Sequence, residues 1–141
     1  MFMPIQLYHD VPCWGYLVQH PETGTFLFAT DTCMIQNKFA GLNHILIEAN
    51  YSDDCINQSL MQGLVNYKQE MRIRKSHLSL KNVLRFLYDN DLSKVNNIVL
   101  LHLSANNSDA IDFIEAVHRE TGKRVTIADN GVRIPFNKIP F

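Results

Sequence analysis

The sequence predicts an α/β domain built on one mixed β-sheet with helices on one of its faces. The first of three observations behind this is the apolar run from Asn96 to Leu103, a length and composition suited to a strand buried on both faces. The second is a pair of helical periodicities, Leu80, Val83, Leu84 and Leu87 after a capping Ser79, and Ala110, Phe113, Ile114 and Val117 after Ser108. The third is the alternation of strand-like and helix-like segments through the second half, which favours parallel strands joined by helical crossovers.

In chain order, Pro4 to His9 and Trp14 to Gln19 read as strands. A turn at Glu22-Thr23-Gly24 leads to a third, Thr25 to Ala29, so the chain opens as a β-meander. Asn43 to Glu48, apolar through Ile45, Leu46 and Ile47, reads as another buried strand. Asp53 or Asp54 can begin a helix through Ile56, Leu60 and Leu64, with Gly63 weakening it. Tyr67 to Lys75 reads as irregular or as a short edge segment. Ser108 is the expected N-cap of the last helix and Gly122 its stop. Arg124 to Ala128 is a final core strand, and Asp129-Asn130-Gly131 a turn into a short terminal strand.

With 141 residues, 46% of them hydrophobic, the chain suits one domain, 1–141, with its own core. A formal net charge of −1 gives no general attraction to nucleic acid or anionic lipid, so contact with a polyanion must come from a local patch. The basic cluster is Lys68, Arg72, Arg74 and Lys75. Cys13, Cys33 and Cys55 are odd in number and widely spaced, which fits reduced cytosolic thiols better than a disulfide framework or a CxxC zinc site. With no apolar run long enough for a bilayer, a cytoplasmic protein without membrane contact is expected.

Two His-Leu-Ser triplets, His77-Leu78-Ser79 and His102-Leu103-Ser104, fall at a helix N-terminus and at the carboxyl end of a buried strand. Both are places where ligands bind. His9, Asp31 and His102 each stand at or just beyond a strand end and are candidate metal ligands, imidazole nitrogen and carboxylate oxygen being usual donors to zinc or manganese. Ordinary strand, turn and core roles account for the same residues. His77 lies between Arg72, Arg74 and Lys75 and the capping Ser79. Together these can hold a phosphate, with the imidazole protonating a leaving oxygen, and a capped basic turn is the plainer reading. Glu48, Asn50, Asp53 and Asp54 can orient metal-bound histidines through hydrogen bonds, or simply cap a helix.

The ordered motifs carry a resemblance. His9-Asp10 followed by Gly15-Tyr16, then Thr30-Asp31-Thr32, Glu48-Ala49-Asn50-Tyr51, Ser76-His77-Leu78-Ser79 and Leu101-His102-Leu103-Ser104 together resemble the C-terminal half of metallo-β-lactamase-fold hydrolases. The nearest of these are the RNase Z-like and YycJ-type phosphodiesterases. The resemblance implies a truncated αββα sandwich with metal ligands at His9, Asp31 and His102, and a phosphate-contacting proton donor at His77. The family's HxHxDH ligand motif has no counterpart, since no two histidines here lie two residues apart. Half a sandwich would leave one sheet face uncovered. The expectation is therefore a homodimer, or a companion chain that supplies HxHxDH. The chain alone should be a non-catalytic binder of a nucleotide or nucleic-acid phosphate, or an assembly component. The alternative is a metal-dependent phosphodiesterase or nuclease completed by its partner.

Overall fold

A computed structural model describes residues 1–140. Six strands, β1 (Phe2–Leu7), β2 (Cys13–His20), β3 (Gly24–Ala29), β4 (His44–Glu48), β5 (Asn97–Leu101) and β6 (Arg124–Ile127), form one sheet in sequential order. The first two pairings are antiparallel, and from β3 onward all are parallel. Helices α1 (Asp53–Met61), α2 (Tyr67–Ser76) and α3 (Leu80–Asp89) lie between β4 and β5, and α4 (Ala110–Thr121) between β5 and β6. The mixed sheet expected from the sequence is present, with the meander preceding the crossovers.

Registers place Ile5, Leu27, Ile45, Ile98 and Val125 along one sheet face, and there they pack with Leu78, Val83 and Leu87 from the α3 segment and Phe113 and Val117 from α4. Among the described residues, no helix packs into a core cluster on the other face. On it Phe2 and Trp14 are exposed, and Tyr16, Val18, Phe28 and Leu46 are half-buried. Gly15 pairs with Ile5 on the helix-covered face, and a Cβ there would stand 2.7 Å from the Phe28 carbonyl oxygen, which accounts for the glycine of the first motif.

Three local expectations need correction. Tyr67 to Lys75 is not irregular but helical: Asn66 and Gln69 form a capping box in which each side chain accepts a hydrogen bond from the other's backbone N–H. That helix buries little apolar surface, so its hydrophobic pattern is faint. Asp109, not Ser108, caps α4, its Oδ1 accepting from Ile111 and Asp112, while the Ser108 hydroxyl donates to the Ser104 carbonyl. Among the described residues no terminal strand follows the turn at 129–131. Residues 132–140 instead run as an irregular strap over the amino-terminal ends of β3 to β5, where Phe136 stacks on His44 with ring centroids 3.8 Å apart. Carboxamides of Asn43, Asn96 and Asn97 donate to strap carbonyls at Pro135, Asn137 and Lys138. As expected, Ser79 caps α3 and Gly122 ends α4 in the left-handed conformation (φ 66°).

Candidate metal and phosphate site

The carboxyl ends of β3, β4 and β5 lie side by side. Asp31 follows β3, Glu48 ends β4, and His102 follows β5. His77 reaches the same place from the joint between α2 and α3. That joint is docked on the chain after β4, with Asn50 N–H donating to the Leu78 carbonyl and Leu80 N–H to that of Tyr51. Asn50 also fixes the β5 exit: its carboxamide donates to the His102 carbonyl at 2.8 Å, and its carbonyl accepts from Ser104 N–H. Donor atoms of Asp31, Glu48, His77 and His102 all fall within 4.8 Å of one another.

Glu48 organises this group. Its side chain is fully buried, and its Oε2 accepts from the backbone N–H groups of Thr32 (3.0 Å) and Leu78 (3.3 Å). Its Oε1 accepts from His77 Nδ1 (2.7 Å) and His102 Nδ1 (2.8 Å). A carboxylate can only accept, so both imidazoles carry their proton on Nδ1 and, when neutral, present an Nε2 lone pair. This is how an acidic neighbour fixes the tautomer and orientation of a metal-binding histidine. The Glu48 hydrogen bond raises the His77 pKa above the ordinary histidine value, against the opposing effect of burial.

Asp31 (φ 57°) and His102 (φ 54°) are the two non-glycine residues with positive φ among those described. Left-handed backbone is uncommon outside glycine, and a residue held there costs of order 1–3 kcal/mol that the surrounding structure must offset. Both are ligand candidates from the sequence, and Asp31 Oδ1 lies 3.5 Å from His102 Nδ1.

His9 stands just outside the group. Its ring lies 5.3 Å from that of His77, its Nδ1 donates to the Ser76 carbonyl, and its Nε2 is 3.0 Å from Asp10 Oδ1. Asp10, the second residue of the first motif, also pairs with Arg72 at 3.1 Å. The remaining phosphate candidates divide. Arg74 is held by Asp53 and Glu70 and lies over the Tyr51 ring, and those carboxylates push its pKa further up. The Ser79 hydroxyl is taken up in capping Asn82 N–H, so neither Arg74 nor Ser79 faces the site unengaged. Arg72 and Lys75 are exposed, and Arg72 stands near His9 through their shared partner Asp10. Two further neighbours escaped the sequence reading. Thr32, whose N–H holds Glu48, is part of the Thr-Asp-Thr turn, and Cys13 lies close enough to Asp31 for burial and that carboxylate to raise its thiol pKa.

No protein-family model matches the sequence, and no curated protein matches it. Solved structures do. The metallo-β-lactamase fold protein YhfI from Bacillus subtilis superposes with a TM-score of 0.61 at 12% identity, over 93% of this chain and 47% of that one. The chain has the fold of half a metallo-β-lactamase sandwich. Unliganded yeast PDE1 gives 0.59 at 13% identity, covering 92% of this chain and 44% of its own. The short form of human tRNase Z gives 0.54 at 15%, covering 96% and 42%. The chain thus spans less than half the length of each of these metallo-β-lactamase-fold neighbours. None of the described helices is long and apolar enough to cross a membrane.

Proposed function

We propose that this chain is a metallo-β-lactamase-fold homologue whose partial site binds a divalent cation and a phosphate-containing ligand, and which does not hydrolyse phosphodiesters by itself. The observation that carries this reading is Glu48, buried and saturated by four donors, holding two imidazoles in one tautomer beside the Asp31 carboxylate. A core helix cap or turn has no need of such an arrangement.

The donor set, imidazole nitrogen with carboxylate oxygen, suits zinc or manganese, with Asp31 and His102 as the holding residues. A bound ion would supply positive charge against phosphoryl oxygens. His77 holds a proton on Nε2 more readily than an ordinary histidine, because Glu48 favours its charged form, and can donate it to a phosphate or leaving oxygen. Arg72, steadied by Asp10, adds cationic character on the His9 flank. His9 joins the donor set only on leaving Asp10. Two or three donors are too few to close a two-metal centre, which is why turnover is not expected of the chain alone.

A second reading, a phosphodiesterase completed from elsewhere, draws support from the uncovered sheet face. Phe2, Trp14, Tyr16 and Phe28 form an aromatic surface where a second sheet can pack, and the chain matches only 42–47% of its neighbours' lengths. A second copy, a companion chain or further sequence of the same protein would supply that layer and the missing donors.

Purified chain mixed with manganese or zinc should bind the ion by titration calorimetry, lose that binding in His102→Ala, and give no release from bis(p-nitrophenyl) phosphate. Turnover that survives purification and disappears in His102→Ala would overturn the non-catalytic reading, and absence of ion binding would overturn the site itself.

A further inference from the structure

Helices α1 and α2 form an antiparallel pair, since Arg74 in the last turn of α2 reaches Asp53 and Asn57 on α1. The turn that joins them, 62–66, therefore stands at the end of the pair away from His77. It is a fixed turn: the N–H groups of Leu64 and Val65 both donate to the Ser59 carbonyl, and Val65 is buried beneath it. Turning Val65 inward leaves Met61 and Leu64 outside. Met61 is 83% exposed, more than any other large hydrophobic side chain among the described residues, and Leu64, Tyr67 and Met71 are 54%, 69% and 37% exposed.

Cations accompany this apolar surface. At about 100° per residue, Tyr67, Lys68, Met71, Arg72 and Lys75 share roughly 140° of the α2 circumference, and all five are exposed. Residues 57–76 hold Lys68, Arg72, Arg74 and Lys75 against one carboxylate, Glu70, a net charge of +3 in a chain whose formal net charge is −1. Glu70 is buried against Arg74, so α2 presents no carboxylate on its exposed face. Asp10 pairs with Arg72 at the His77 end, and Lys68 and Lys75 are unpaired among the described residues.

Met61 and Leu64 have no π face for a base to stack on, and a protruding turn offers no groove for a partner chain. A bilayer interface needs neither. It takes aliphatic and tyrosine side chains into its headgroup and acyl boundary and draws Lys and Arg to anionic lipid. We propose that the α1–α2 hairpin is a peripheral contact for anionic membrane, with Met61, Leu64 and Tyr67 entering the interface and Lys68, Arg72 and Lys75 lying against anionic headgroups. The net charge and the short apolar runs, from which no membrane contact is expected, do not register a local patch of this kind. The contact does not depend on an ion or a phosphate at Asp31, His77 and His102.

The whole chain is sedimented at low salt with sucrose-loaded vesicles of phosphatidylcholine containing one-third phosphatidylserine, and with vesicles of phosphatidylcholine alone. Binding should be at least about tenfold tighter to the anionic vesicles, each cation near such a surface being worth about fivefold. It should fall at least about tenfold in Lys68→Gln/Lys75→Gln, and at least about fivefold in Met61→Ser/Leu64→Ser. All four positions are exposed, so circular dichroism and thermal unfolding should stay native. No sedimentation with anionic vesicles, equal binding to both vesicle types, or binding that ignores the Met61 and Leu64 changes would overturn the proposal. Release by soluble glycerophosphoserine would also overturn it, because a single headgroup in the histidine site would then hold the chain. Two further results would assign the patch elsewhere and overturn it equally. One is a dimer, seen by sedimentation equilibrium without vesicles, that Leu64→Ser dissolves. The other is binding of a single-stranded oligonucleotide that is lost with the two lysines and kept without Met61 and Leu64.

Discussion

Strand β4 begins on a buried histidine and ends on a buried glutamate, and the two ends have been resolved in opposite ways. At its start His44 is closed in by the chain's own strap. Phe136 stacks on the ring, Asn97 donates to Nδ1, and the buried Nε2 makes no hydrogen bond of good geometry. Burial lowers the His44 pKa, and the nearby Thr23 and Asn137 carbonyls only partly oppose this. At its end Glu48 has every lone-pair direction used, but the imidazoles it holds face outward, and His102 and Asp31 are 47% and 40% exposed. One end is sealed and polar only where folding forces it. The other is over-determined inside and open outside, the pattern of a site built to meet something.

The largest effect that can break this contrast is loss of Glu48. Glu48→Ala orphans two backbone N–H groups and two imidazole N–H groups at once, and removing one partner from a buried charged network costs about 3–5 kcal/mol. Urea denaturation should show that loss, with metal binding abolished in whatever remains folded. A change below about 1 kcal/mol would mean that Glu48 is not the organiser.

At the sealed end, Phe136→Ala should cost less, about 1–3 kcal/mol, and the loss should be local. Protease cleavage within 132–140 should accelerate while ion binding at the far end stays unchanged. Parallel loss of ion binding would show that the two ends are not independent.

Acid sharpens the same comparison. Because the folded pKa of His44 lies below the ordinary value near 6.5, His44 takes up its proton more readily in the state with the strap released as pH falls. The strap's hold is therefore complete above about pH 6.5 and weakens toward pH 5. Hydrogen-exchange protection at the Asn43, Asn96 and Asn97 side of the sheet should drop before that of Ile47 and Leu100. Equal protection at pH 7.5 and pH 5 would contradict it.

The smallest stability effect belongs to Asp31→Gly. Glycine adopts φ near 57° without strain, and Asp31 gives up a 3.3 Å hydrogen bond from Thr30 and a half-exposed 3.5 Å contact with His102 Nδ1. Thermal unfolding should move by no more than a few degrees in either direction, about 1 kcal/mol, while ion affinity falls sharply.

How far the sequence foretold these two ends differs for physical reasons. The open end is legible because its residues follow strand exits and recur in ordered motifs, and Asp31, His77 and His102 lie together in the structure. Glu48 was placed as an orienting residue, but nothing in its neighbours signalled that one carboxylate would serve both histidines, since His77 and His102 are 29 and 54 residues away along the chain. His9 was grouped with the ligands on its motif. The competing Asp10 is adjacent in sequence, and only the backbone conformation decides between them. The sealed end was not legible. The strap is held by asparagine side chains donating to its backbone carbonyls and by Lys138 N–H donating to the Glu22 carbonyl, bonds that depend on no particular side chain in 132–140. Likewise α2 went unread because its start is set by polar capping instead of apolar periodicity.

The central claim is that Glu48 sets the tautomers of His77 and His102 so that their Nε2 atoms face a ligand, and long-range ¹H–¹⁵N spectra of the imidazoles at pH 8 test it directly. The account predicts Nδ1–H tautomers for His77 and His102, the opposite Nε2–H tautomer for His44, and a zinc titration that moves the His102 Nε2 resonance and leaves His44 untouched. Nε2–H tautomers at His77 and His102, or a zinc response no larger at His102 than at His44, would contradict it.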